Sequence, residues 1–246
     1  MQSNGLELSI AHLYPKLLNI YGDLGNIISI RKRAEDRGIN VTVSDINAGD
    51  IIDITKYDLY FIGGGQDKQQ VTVSNELKIN EVALQDASSN MAVFLSICGG
   101  YQLFGKYYQP HIGDRLEGIN LLDAYTIAGD KRFIGNVTAK SSFLSPNTLV
   151  GFENHSGLTY LEEGTVPLAM VSVGNGNNGS DKTEGARKNN VFGTYLHGSL
   201  LPKNPHFTDY LIKLALEYRY KYEISLSELD SSIELYAHNS LIGKAY

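Results

Sequence analysis

Only one of the 246 residues, Cys98, is a cysteine, which rules out an internal disulfide and fits a reducing compartment. There is no apolar run of the roughly 18 residues that a membrane-crossing helix needs. The first residues, Met1-Gln-Ser-Asn-Gly-Leu-Glu7, lack the basic and apolar parts of a signal peptide, so a cytoplasmic protein without membrane insertion is expected. Positive charge is scarce as well. With 21 Lys and Arg against 27 Asp and Glu the formal net charge is −6, which leaves no basic patch of the kind a nucleic-acid binder needs. No internal repeat or low-complexity block is present. Gly100-Tyr-Gln-Leu-Phe-Gly105-Lys106 matches the phosphate-loop spacing as far as its lysine, but Tyr107 stands where a magnesium-binding Ser or Thr is required. An ATP site there is therefore rejected.

The remaining pattern is that of one α/β domain spanning residues 1–246, with a core over about 6–220 and a helical tail over 204–246. Leu6–Leu13, Asn40–Asp45, Tyr57–Ile62 and Ala92–Ile97 read as strands. Helical spacing of Ile27, Ile30 and Ala34, and a polar stretch from Val71 to Ser88, alternate with them. This alternation predicts a doubly wound, mostly parallel sheet. Past residue 110, short strands at 133–139, 149–153, 168–173 and 191–195 predict an antiparallel extension, and Gly174 to Gly185 is too polar and glycine-rich to be other than a loop. Asn204 with Pro205 predicts the start of a helix, and Ser225 with Glu228 fits a capping box opening a last helix that carries Leu229, Ile233 and Tyr236.

Cys98 falls where chemistry is expected. An apolar strand delivers it to Gly99-Gly100, and Tyr101, Leu103 and Phe104 then continue as a helix. This is the outline of a nucleophile elbow, in which a reactive side chain sits on a strained turn at the carboxyl end of a strand. A helix N-terminus just behind the sulfur favours the thiolate. The competing assignment is an inert buried thiol. A thiolate nucleophile needs a base, and His197, delivered by Val191-Phe-Gly-Thr-Tyr-Leu to a glycine turn, is the best placed of six histidines. Gly63-Gly64-Gly65 ends the strand predicted beside the elbow strand, so amides of Gly64 and Gly65, with that of Gly99, could form an oxyanion hole.

Ser96-Ile-Cys-Gly-Gly-Tyr-Gln102, Gly63-Gly-Gly-Gln-Asp67 and Gly193-Thr-Tyr-Leu-His-Gly198 resemble the class I, triad-type glutamine amidotransferases, in their cobyric-acid-synthase-like branch. Tyr21-Gly-Asp-Leu-Gly-Asn26, Gly151-Phe-Glu-Asn-His155, the Gly/Asn-rich loop and Leu200-Leu-Pro-Lys-Asn-Pro205 narrow the likeness to glutaminase subunits that serve lipid II amidation. The resemblance implies a flavodoxin-like fold and hydrolysis of L-glutamine to glutamate and ammonia. It also implies delivery of the ammonia to a MurT-like, Mur-ligase-family synthetase in a heterodimer that uses ATP to amidate the D-glutamate of the stem peptide. No metal and no cofactor are implied. Cys98 would be the nucleophile and His197 the base and acid. Arg132 would hold the glutamine α-carboxylate, and Gln102, Asn154 and His155 would line the substrate site. Two departures stand out: Ser96 replaces a common glycine, and His197-Gly198-Ser199 replaces His-x-Glu. The third triad member is therefore either absent or supplied from elsewhere. Rival assignments are the amidase of a cobyric-acid-type synthase, a cysteine hydrolase of similar fold, and an inactive binding module.

Overall fold

The computed structural model describes residues 5–19 and 22–244, so Tyr21 of the Tyr21–Asn26 motif lies outside the described residues. The first half alternates as expected: β1 (Glu7–Leu13), α1 (Leu24–Glu35), β2 (Asn40–Ile46), β3 (Leu59–Ile62), α2 (Asp67–Ile79), α3 (Glu81–Ser89), β4 (Val93–Ile97) and α4 (Gly99–Phe104). The stretch read as one polar helix is two, parted at Asn80. The side chain of Asn80 donates to Asp50 O and accepts from Ile52 N instead of continuing a helical face. The second half contributes β5 (Tyr107–Gln109), β6 (Leu116–Glu117), β7 (Ala124–Lys140), β8 (Thr148–Leu161), β9 (Ala169–Val173), β10 (Thr183–Glu184), β11 (Ala186–Lys188), β12 (Val191–Thr194), α5 (Pro205–Tyr220) and α6 (Ser232–Leu241).

Six strands form the first sheet in the order β11-β12-β4-β3-β1-β2, parallel throughout except for the antiparallel edge pair of β11 with β12. Every residue of β3 and β4 is buried, as strands covered on both faces must be. Their side chains alternate between two cores. Phe61, Val93 and Leu95 pack with Ile27 and Ile30 of α1 and Phe207 and Leu211 of α5, whereas Tyr60, Ile62 and Phe94 pack with Val73, Leu77 and Leu84 of α2 and α3. That is the doubly wound arrangement.

The later strands do more than extend this sheet. Only β11 and β12 join it, while β10-β9-β7-β5-β6, with β8 also on β7, make a second, mostly antiparallel sheet. The two sheets meet where His197 N donates to Phe152 O at 2.8 Å, and again at a bridge between Val166 and Arg187. The β7/β8 pairing is interrupted between Ala128 and Phe133, so Arg132 lies in an irregularity rather than in the ladder.

Two readings of the tail are corrected. Asn204 does precede α5, but its side chain caps nothing: it donates to Val150 O and Leu200 O and accepts from Val150 N, tying the helix start to β8. The capping box at Ser225 and Glu228 does not form. Arg37 Nε takes the Ser227 carbonyl at 2.7 Å, and Arg33 and Arg37 share the Asp209 carboxylate, so the segment before Ser231 is held as an irregular strap. The last helix begins at Ser232, with Ile233 and Tyr236 at 81% and 79% exposure and His238 buried instead. No helix among the described residues is long and apolar enough to cross a membrane.

Candidate active site

The elbow forms as the apolar strand and paired glycines demand. Cys98 has φ +50° and ψ −104°, a left-handed conformation costly for a residue with a Cβ. Backbone bonds on both sides hold it: Cys98 N donates to Thr194 O at 2.8 Å, Gly100 N to Gly63 O at 3.2 Å, and Gln102 N to Cys98 O at 3.0 Å. The turn is thus fastened to the ends of both strands flanking β4. The half-buried thiol sits directly ahead of the first turn of α4.

Gly64 is where the site converges. A Cβ on it would stand 3.3 Å from Cys98 Cβ, 3.3 Å from His197 Cε1 and 3.4 Å from Asp23 Oδ2, so only a bare Cα lets these three side chains crowd together without displacement. Gly64 donates its N–H to Asp23 Oδ2 at 2.7 Å, which engages the amide expected in the oxyanion hole. A Cβ on Gly99 would lie 3.1 Å from the Gly65 amide nitrogen, so Gly65 and Gly99 are neighbours beside the thiol.

Next to Cys98 opens a cavity of about 440 Å³, ample for an amino acid. Six of the nine residues expected at the site line it: Gly65, Cys98, Gln102, Arg132, Asn154 and His155. Gly64, Gly99 and His197 stand behind them at the elbow. Arg132 Nε donates to Asn154 Oδ1 at 2.6 Å, and the two line the same cavity as the thiol. His155 stacks flat on Tyr195, with ring centres 3.6 Å apart, and donates from Nδ1 to Gly157 O at 2.8 Å.

Burial dominates the electrostatics. His197 is pushed down to about 3 by desolvation, helped by its mutual repulsion with His155 were both charged and by positive charge from Arg132 and Lys203, so the resting imidazole is neutral. Desolvation likewise lowers His155 to about 4. Two buried carboxyls move the other way: Asp23 and Glu184 are each pushed up to about 7, opposed only by hydrogen bonds from Gly64 N for Asp23 and from Thr194 Oγ1 and Tyr195 N for Glu184. Among the described residues, no group of three or more His, Cys, Asp or Glu is placed to hold a metal ion.

Sequence reasoning missed Asp23 and Gln70. Asp23 lay inside the quoted Tyr21–Asn26 motif, but nothing local announces a bond to an amide 41 residues away. Gln70, 2% exposed, lines the cavity and donates to Gln102 Oε1 at 3.0 Å; its place one helical turn after Gln66 was the available signal.

Asp23 also gives a stability prediction. A carboxyl raised to about 7 in the fold, against about 4 unfolded, supplies stability that is fully present below pH 4 and lost as pH rises through 7. Asp23→Asn cannot ionise. Its unfolding free energy should therefore gain on wild type by on the order of 2–3 kcal/mol between pH 5 and pH 8, read from denaturant titrations. A constant difference across that range would show that Asp23 ionises normally.

Residues 9–205 match the CobB/CobQ-like glutamine amidotransferase domain family. The chain is 43% identical over 239 residues to the GatD subunit of the glutamine-hydrolysing lipid II isoglutaminyl synthase of Staphylococcus aureus strain N315, covering 97% of this chain and 96% of that one. It is 40% identical over 221 residues to the corresponding subunit of Streptococcus pneumoniae R6, covering 89% and 85%. In fold it is similar to a crystal structure of a glutamine amidotransferase, with a TM-score of 0.56 at 14% identity over 83% of this chain and 98% of that one. The elbow, its histidine and the doubly wound sheet therefore have a common origin: this chain belongs to the CobB/CobQ-like glutamine amidotransferase family.

Proposed function

We propose that the chain is the glutaminase subunit of a lipid II isoglutaminyl synthase, working in the cytoplasm as a heterodimer with a MurT-like, Mur-ligase-family synthetase in peptidoglycan synthesis. One observation carries the catalytic part: Cys98 and His197 meet across the Cα of Gly64, beside a cavity lined by Arg132. Identity over nearly the full length of two curated GatD subunits supports the pathway.

In this reading the α-carboxylate of L-glutamine pairs with Arg132, whose planar fork suits it, and Asn154 steadies the guanidinium. Neutral His197 takes the thiol proton, and Cys98 Sγ attacks the side-chain carboxamide carbon. The amides of Gly65 and Gly99 hold the resulting oxyanion. The C–N bond breaks as His197 returns its proton to the leaving nitrogen. His197 then deprotonates the water that cleaves the γ-glutamyl thioester, releasing glutamate and restoring the thiol. In place of the glutamate that His197-Gly198-Ser199 lacks, this reading assigns Asp23, whose carboxylate accepts from the amide of Gly64 beside His197.

Cys98→Ala should abolish glutamine hydrolysis while leaving the melting transition in place, since the elbow glycines remain. A glutamine-mimicking alkylating agent should add once to wild type and not to this variant. Wild-type rates in Cys98→Ala would sink the assignment.

The partner is inferred from chemistry. Amidating a carboxylate requires its activation, and the near match to a phosphate loop, Gly100 to Lys106, is here mostly the buried helix α4 behind the nucleophile, with the Lys106 amine paired to Glu162. Purified chain given glutamine, ATP, magnesium and lipid II should yield glutamate at most and no amidated lipid II. Amidated product, with contaminating synthetase excluded by mass spectrometry, would refute the two-subunit reading.

A further inference from the structure

Behind the cavity lies a fully buried tyrosine that the mechanism above does not use. Tyr195, two residues before His197 in the chain, has no exposed surface. Its hydroxyl accepts from Gln102 Nε2 at 3.1 Å and pairs with Thr159 Oγ1 at 2.7 Å, which pairs in turn with Thr126 Oγ1 at 2.7 Å. On the far side of the same amide, Gln70 Nε2 donates to Gln102 Oε1 at 3.0 Å. One face of the Tyr195 ring carries His155, parallel to within 5°. Its main-chain N–H is held by Glu184 at 2.9 Å. Gly157 packs against the outside, where a Cβ would come within 3.1 Å of the tyrosine hydroxyl.

We propose that Tyr195 is a positioning residue for substrate binding, whose hydroxyl fixes the orientation of the Gln102 amide and whose ring seats His155. The inference rests on the glutaminase reading and deepens it. Gln102 and His155 both line the cavity yet come from α4 and β8, and Tyr195 is the side chain that touches both. A free glutamine amide turns over between two orientations of nearly equal energy, exchanging donor for acceptor. Here the relay from Gln70 through Gln102 and Tyr195 to Thr159 gives each group a role, donor on one side and acceptor on the other. One Nε2 hydrogen and one Oε1 lone pair of Gln102 are left for a ligand. Burial keeps the phenol neutral, well above its ordinary range, so the relay does not titrate near neutral pH.

Tyr195→Phe removes the hydroxyl and keeps the ring, so it tests the amide without unseating His155. With the full-length chain, KM for glutamine should rise about tenfold while kcat stays within about twofold, as expected when binding common to ground and transition states is lost. Calorimetry on Cys98→Ala should show the same tenfold weakening of glutamine when Tyr195→Phe is added. In a Gln102→Met background, Tyr195→Phe should cost less than about twofold further, because its partner is already gone. A merely structural tyrosine would lower the melting temperature and leave KM unchanged, and that result overturns the inference. So does an effect that adds in full to Gln102→Met. If wild type hydrolyses no glutamine and Cys98→Ala binds none, the glutaminase reading fails and this inference with it. Glutamine binding by Cys98→Ala that Tyr195→Phe leaves untouched defeats the inference alone.

Discussion

Everything at the site depends on holding Cys98 at φ +50°. A left-handed residue with a side chain costs on the order of 1–3 kcal/mol, and it persists only where the surroundings over-determine it. Here the strand order does so. β4 lies between β12 and β3, and the turn that follows it is bonded to Thr194 at the end of β12 and to Gly63 just beyond β3. The same two strands lead to His197 and to the Gly63–Gly65 amides. The parallel register that strains Cys98 therefore also brings His197 and the Gly63–Gly65 amides to the same rim.

A second constraint is dielectric. His197, His155, Asp23 and Glu184 are buried, each at 3% exposure or less. Desolvation then disfavours every charged form, which keeps both imidazoles neutral and brings both carboxyls close to neutrality. A charge created during the reaction has few competing partners in such a place, so a nearby group that can ionise counts for more than it would in water. Asp23 has that property at the elbow, where its carboxylate accepts from the Gly64 amide.

The parallel core and its elbow were legible because their signals are local. β3 is an unbroken apolar run ending in glycine, β4 is broken only by Ser96 and leads to Cys98, and the six-residue helix after Cys98 follows directly. The long strands β7 and β8 were seen only in part, since Asp130-Lys-Arg132 and Asn154-His-Ser-Gly157 interrupt the alternation where the strands bend toward the cavity. Those interruptions carry pocket residues, so the pattern failed where function competes with it. The tail misled for another reason. Ser225 and Glu228 form a sound local capping signal, but two buried guanidiniums gathered on Asp209 impose a tertiary bond to Ser227 that local propensity cannot foresee. The place of Asp23 at the site was not legible because it depends on Gly64, Cys98 and His197 all arriving from elsewhere.

The account stands or falls on a covalent intermediate at Cys98. Acid-quenched mass spectrometry, after rapid mixing of the chain with glutamine, reads this directly. A γ-glutamyl group should appear on the Cys98 peptide in wild type, and no adduct should form anywhere on Cys98→Ala. Glutamate formed at the wild-type rate with Cys98 unmodified at every quench time would contradict it.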